Sequence, residues 1–93
     1  MITGHYVTTA NSIVFPRRHP VSVAVSYSPN GNVRIDAWGI EFGGKRFRYK
    51  VEDTVLLKKI DSYLLFRCLY TELGLLKSIN LVFFIKDHRW TTE

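Results

Sequence analysis

From Val21 to Glu52 apolar and polar residues alternate with a period of two, interrupted at Asn30-Gly31 and at Gly43-Gly44. Alternate side chains of an extended chain point to opposite faces, so the stretch predicts a three-stranded antiparallel meander. Asn-Gly supplies the two positive φ angles of a type I′ turn, and two-residue loops at both interruptions fix the register. Tyr27 then pairs with Arg34, Val25 with Asp36, Val23 with Trp38 and Val21 with Ile40. Across the second turn Phe42 pairs with Lys45, Ile40 with Phe47, Trp38 with Tyr49 and Asp36 with Val51. One face collects Val21, Val23, Val25, Trp38, Ile40, Phe47, Tyr49 and Val51, the expected core side. The other carries the pairs Ser26/Ile35, Ala24/Ala37, Ser22/Gly39, Glu41/Arg46, Gly39/Arg48 and Ala37/Lys50, a floor of small residues beside a basic wall.

The flanks complete an expected α+β fold. His5 to Phe15 is rich in Tyr, Val, Thr and Ile and reads as a first strand against Val21 to Tyr27, with a bulge at Asn11. Asp53 or Thr54 can cap a helix over Val55 to Leu73, which Gly74 would end. Its apolar stripe, Leu56, Leu57, Ile60 and Leu64, gives way to Phe66, Leu69, Tyr70 and Leu73 on a rotated face, as for a helix buried on more than one side. After a loop at Lys77-Ser78, Leu81 to Ile85 reads as a last strand, apolar on both faces. The element order is β-β-β-β-α-β: a mainly antiparallel sheet with one long helix on its apolar face. The expected core holds Val23, Val25, Trp38, Ile40, Phe47, Tyr49, Ile60, Leu64 and Phe83. Surplus apolar surface on helix 55–73 or strand 81–85 offers a route to a homodimer.

Length and charge narrow the class. Ninety-three residues at 46% hydrophobic suit one domain with a real core, and neither a repeat nor a linker divides the chain. Thirteen basic against eight acidic residues give a net charge of +5, a balance suited to an anionic partner. Lys45 to Lys50 holds four cations and no carboxylate. The register brings the loop Pro16-Arg17-Arg18-His19-Pro20 to the same end of the sheet as Gly43-Gly44, whose missing Cβ atoms would let an anion approach. Arg17, Arg18, Lys45, Arg46, Arg48 and Lys50 are therefore the candidate partner-binding residues. The lone Cys68 excludes an intramolecular disulfide and fits a reducing compartment, so cytoplasm is expected. Residues 1–16 contain no Lys or Arg and lack the charged head of a signal peptide. The run Leu81-Val-Phe-Phe-Ile85 is far short of the roughly twenty residues that cross a bilayer, so no membrane association is expected.

Catalytic patterns are absent. Cys68 sits among apolar residues with only Arg67 beside it, an inert setting for a thiol. His5, His19 and His88 share no metal-ligand spacing, and the adjacent Asp87-His88 would diverge on a strand. There is no nucleophile elbow, P-loop or dinucleotide fingerprint, so no cofactor is expected. The one enzymatic alternative is a metal-independent ribonuclease toxin using His19 or His88 with Arg17, Arg46 or Arg48. The leading expectation is a non-catalytic module for nucleic acid or a nucleoprotein. A protein-binding inhibitor or adaptor, of the kind phages and mobile elements direct against host defence complexes, is the alternative. Tyr6 and Trp90 are the expected exposed stacking groups, since the register turns Trp38, Phe47 and Tyr49 inward.

Overall fold

A computed structural model describes residues 13–93. Six strands follow one another: β1 (Pro20–Tyr27), β2 (Val33–Phe42), β3 (Lys45–Lys59), β4 (Tyr63–Glu72), β5 (Leu75–Phe84) and β6 (Arg89–Thr92). Each pairs antiparallel with the next, and β6 returns to β1 through Pro20↔Thr91 and Val21↔Trp90, closing a barrel. The fold is all-β, not α+β.

The expected helix over Val55 to Leu73 is instead the end of β3, a turn, and β4. Asp61-Ser62 provides the turn, where the Ile60 N–H donates to the Tyr63 carbonyl at 3.1 Å. Gly74 acts as the second half of a hairpin turn, not as a helix stop: Leu73 (φ 51°) and Gly74 (φ 77°) both lie in the left-handed region. The rotated stripe was period two in disguise. Phe66, Cys68, Tyr70 and Glu72 are buried in alternation along β4, with half-buried Leu64 on the same face. Val, Tyr, Phe and Thr favour this pleated surface over a helix. Of the expected last strand, Leu81 to Phe84 lie in a strand and Ile85 in the turn after it, but β5 already starts at Leu75, so Lys77-Ser78 is strand and not loop. Of the expected first strand, residues 5–12 lie outside the described part, and 13–15 run without regular structure.

Around Gly43-Gly44 the register is as expected from Phe42↔Lys45 to Ala37↔Lys50, and both glycines have positive φ (59° and 74°). The first hairpin differs. Its loop is Ser28–Asn32: the Ser28 carbonyl accepts from Gly31 N–H at 2.8 Å, the Asn32 carbonyl from Ser28 N–H at 2.9 Å, and only Gly31 has positive φ. The tip pairs are Tyr27↔Val33, Ser26↔Arg34 and Val25↔Ile35, one residue out of step, and a bulge at Asp36 restores Ala24↔Ala37 through Val21↔Ile40. The bulge reverses the facing of Ile35, which is fully enclosed instead of outward, and leaves Val25 exposed.

Ile35, Trp38, Ile40, Val51, Phe66, Cys68, Tyr70 and Leu81 form the core, with Val23, Phe47, Tyr49, Leu64 and Phe83 packed against it as expected. Val25 and Ile60, placed in the core from sequence, are exposed. Phe15 plugs the barrel at the Gly43-Gly44 end, its ring edge-on to Trp38, Phe42, Phe47 and Tyr49 at 5.2–5.9 Å between centroids. No helix among the described residues is long and apolar enough to cross a membrane.

A candidate anion-binding groove

The outer surface of β1, β2 and β3 carries two cross-strand rows, Ser22–Gly39–Arg48 and Ala24–Ala37–Lys50. Small side chains on two neighbouring strands make this a shallow groove beneath the Arg48 side chain. Gly39 sets its depth. A Cβ there would lie 3.0 Å from Ser22 Oγ and 3.1 Å from the Phe47 carbonyl oxygen, so the position has room for hydrogen and little else.

The loop before β1 is tied to the same end. The His19 N–H donates to Thr92 Oγ1 at 2.9 Å, the Thr92 N–H returns to the His19 carbonyl at 2.9 Å, and the Thr92 hydroxyl donates to the Pro16 carbonyl at 2.7 Å. His19 Nε2 lies 2.8 Å from the Glu41 carbonyl oxygen, next to the β2–β3 turn. These contacts hold exposed Arg17 and Arg18 at the end of the barrel that carries Lys45, with Arg18 in the left-handed region (φ 53°).

The six candidate cations are not equivalent. Arg46 is bound to its cross-strand partner: Nε and Nη2 donate to Glu41 Oε2 at 2.9 and 2.7 Å. The basic wall therefore does have a carboxylate, and the register already paired Glu41 with Arg46. Arg17, Arg18, Lys45, Arg48 and Lys50 have no carboxylate in ion-pair range among the described residues. Arg48 and Lys50 border the small-residue floor, while Arg17, Arg18 and Lys45 stand at its end.

The other chemistry-bearing residues lie elsewhere. Inside the barrel near the Phe15 plug, Glu72 accepts from Tyr49 Oη and from Lys77 Nζ, the latter at 2.5 Å. Burial alone would raise the Glu72 pKa, but hydrogen bonds from Lys77 and Tyr49, the Lys77 charge and the Ile13 backbone together hold it below its ordinary value. Burial pushes the Tyr70 hydroxyl up to about 12, with the Glu72 charge adding to the effect, and raises Tyr49 further. Sequence reading missed this network because it placed Glu72 and Lys77 at the end of a helix and in a loop. Cys68 is fully enclosed, and burial lifts its thiol to about 11 despite a hydrogen bond with Thr54.

His88 sits in the β5–β6 turn beside Phe83, at the far end of β6 from the strand end that holds His19. The two imidazoles share no site. Trp90, expected as an exposed stacking group, packs on Phe83 and Phe66 at 4.9 and 5.6 Å between centroids. Tyr6 lies outside the described residues. Tyr27, at the tip of β1 and away from the groove, is an exposed aromatic among the described residues that the sequence did not single out. No group of three or more His, Cys, Asp or Glu suited to a metal ion occurs among the described residues. No family model, curated protein or solved structure matches the chain.

Proposed function

We propose that the protein is a non-catalytic binding module whose groove and adjoining loop engage a polyanion, most favourably the phosphate backbone of a nucleic acid. One observation carries this reading: among the described residues Arg48 and Lys50 have no carboxylate within ion-pair range, and they stand beside a floor of Ser22, Ala24, Ala37 and Gly39. A cation whose field is not neutralised locally attracts anions from solution, and a floor without large side chains lets a chain of phosphates come within contact range. Arg17, Arg18 and Lys45 extend the positive surface at one end. Arg46 contributes less, because Glu41 already holds its guanidinium.

Among the described residues the groove has no exposed aromatic side chain, so recognition rests on backbone charge with little selection among bases. The same feature favours, as a second reading, an acidic protein surface as partner, which fits an inhibitor or adaptor. The expected compartment is the reducing cytoplasm.

The test is a salt titration of binding to generic single- and double-stranded nucleic acid. Four or five phosphate contacts would give log K a slope of about −4 against log salt on duplex. The double reversal Arg48→Glu and Lys50→Glu should abolish most of that binding with an unchanged unfolding curve. Arg46→Glu is a poorer probe, since it would set two carboxylates against each other at Glu41. Retention of nucleic-acid binding and slope in a folded double reversal would remove the groove from consideration. An acidic protein partner would show itself by slowed association in that variant, with a shallower salt dependence.

A further inference from the structure

The end of the barrel away from Arg17 and Arg18 is built from two turns that touch. The Ile85 N–H donates to the Ser62 carbonyl at 3.1 Å, which ties the β5–β6 turn to the Asp61-Ser62 turn between β3 and β4. On this tip Leu57, Ile60 and Ile85 are 40%, 40% and 36% exposed. A single exposed aliphatic side chain is ordinary. A cluster of them on two joined turns is apolar surface that folding has not removed from water.

Cations surround the cluster. Lys58, Lys59, Lys86 and Arg89 are exposed beside it, against Asp61 and Asp87. Asp87 lies 3.8 Å from Arg89, while Lys58, Lys59 and Lys86 have no carboxylate in ion-pair range among the described residues. Residues 1–12 contain no Asp or Glu that could neutralise them. Ile13, where the described chain begins, lines a depression with Tyr70 and Lys77 at the opposite end of β4. At the tip one row crosses four strands. Lys58 Nζ lies 5.8 Å from the Tyr63 ring centroid, the Tyr63 and Phe84 centroids are 6.3 Å apart, and Arg89 Cζ is 5.3 Å from that of Phe84. Two cations are thus held over two half-buried rings next to the aliphatic cluster.

We propose that this tip docks end-on into the interface of a bilayer containing anionic lipid. It combines the three parts of an interfacial anchor: aliphatic side chains for the acyl boundary, aromatic rings for the headgroup level, and cations for anionic headgroups. Lysine stems lie along apolar surface while their ammonium groups reach outward to phosphate. Shape favours lipid over a protein partner. Both turns are convex, so a protein would have to supply a matching apolar hollow rimmed with carboxylates, whereas a deformable interface admits a convex tip without one. A nucleic acid offers phosphates but no counterpart for the aliphatic side chains. Asp61 and Asp87 offset part of the positive charge, so docking needs anionic lipid and apolar insertion together. A bilayer met in this way is not crossed, and the shortness of Leu81 to Ile85 does not bear on it. The groove and its ligand play no part in the inference.

The full chain should co-sediment with vesicles that mix phosphatidylserine and phosphatidylcholine, and not with vesicles of phosphatidylcholine alone. Relative to the native chain, Ile60→Trp should add emission that shifts to the blue on the mixed vesicles and is quenched by lipids brominated on the acyl chain. Leu57→Ser with Ile60→Ser leaves the net charge unchanged and should weaken binding about ten-fold with an unaltered unfolding curve. Lys58→Gln with Lys59→Gln should weaken it about thirty-fold, since each cation near an anionic leaflet contributes about five-fold. Failure to bind the mixed vesicles would overturn the proposal, and loss of nucleic-acid binding in the lysine variant would then give the tip to that partner. A folded serine variant that binds like the native chain would overturn it too, because net charge alone would explain the binding. So would an Ile60→Trp emission already blue and shielded from soluble quencher without vesicles, which would mean a cover within the chain.

Discussion

Replacing Gly39 by Ala is the sharpest probe of the groove, because the packing predicts the opposite sign to the backbone. Gly39 lies in mid-strand without positive φ, so alanine fits its conformation, and removing a glycine's unfolded-state freedom would stabilise the domain by about 0.5–1 kcal/mol. The new methyl, however, would sit 3.0 Å from Ser22 Oγ and 3.1 Å from the Phe47 carbonyl oxygen. The first atom can rotate away; the second belongs to the β2–β3 ladder and cannot without disturbing Ile40↔Phe47. Overpacking of this kind costs about 1–3 kcal/mol, which outweighs the backbone gain and leaves a net loss of about 1 kcal/mol. Urea unfolding measured at low protein concentration should show a lowered midpoint with an unchanged slope. A double-mutant cycle then locates the strain: in a Ser22→Ala background, with Oγ gone, Gly39→Ala should cost about 0.5 kcal/mol less than in the native chain. A stabilised Gly39→Ala protein would show that the floor is open and that the shallowness of the groove has another cause, whereas a destabilised one with no coupling to Ser22 would place the strain at the Phe47 carbonyl.

Two further substitutions test the barrel interior. Ile35→Ala should cost about 2–5 kcal/mol because Ile35 is fully enclosed, whereas Val25→Ala, at a position 36% exposed, should cost less than about 1 kcal/mol; equal losses in urea unfolding would mean that Asp36 is not bulged. Glu72→Gln leaves the Lys77 ammonium without its buried partner and should cost about 2–4 kcal/mol, toward the low end because Lys77 keeps some contact with solvent. Since the folded pKa of Glu72 lies below its ordinary 4.5, its contribution is complete above that pH and fades as pH falls through the lower folded value. The stability gap between the native chain and the Glu72→Gln variant should accordingly narrow as pH falls below 4.5, and a gap that stays constant well below that pH would assign the loss to packing instead.

What could be read from the sequence follows the range of the interactions involved. The Gly43-Gly44 turn is local and requires two positive φ angles, so its chemistry alone fixed six cross-strand pairs, including Gly39↔Arg48 and Ala37↔Lys50, and with them the basic face. The Asn30-Gly31 turn resisted because Ser28 competes for it: its hydroxyl accepts from the Asn32 N–H and its carbonyl from the Gly31 N–H, stretching the loop to five residues. A one-residue shift of register at the loop should have inverted the facing of β2 against β1 throughout. It does not, because the Asp36 bulge absorbs it, and a bulge is selected by tertiary fit, not by any single residue type. The helical reading of residues 55–73 failed on the same ground. Leucines and lysines are acceptable in either state, and only closure of the barrel, which presents β4 with a partner on each side, decides for the strand. The groove was legible because a local turn built it.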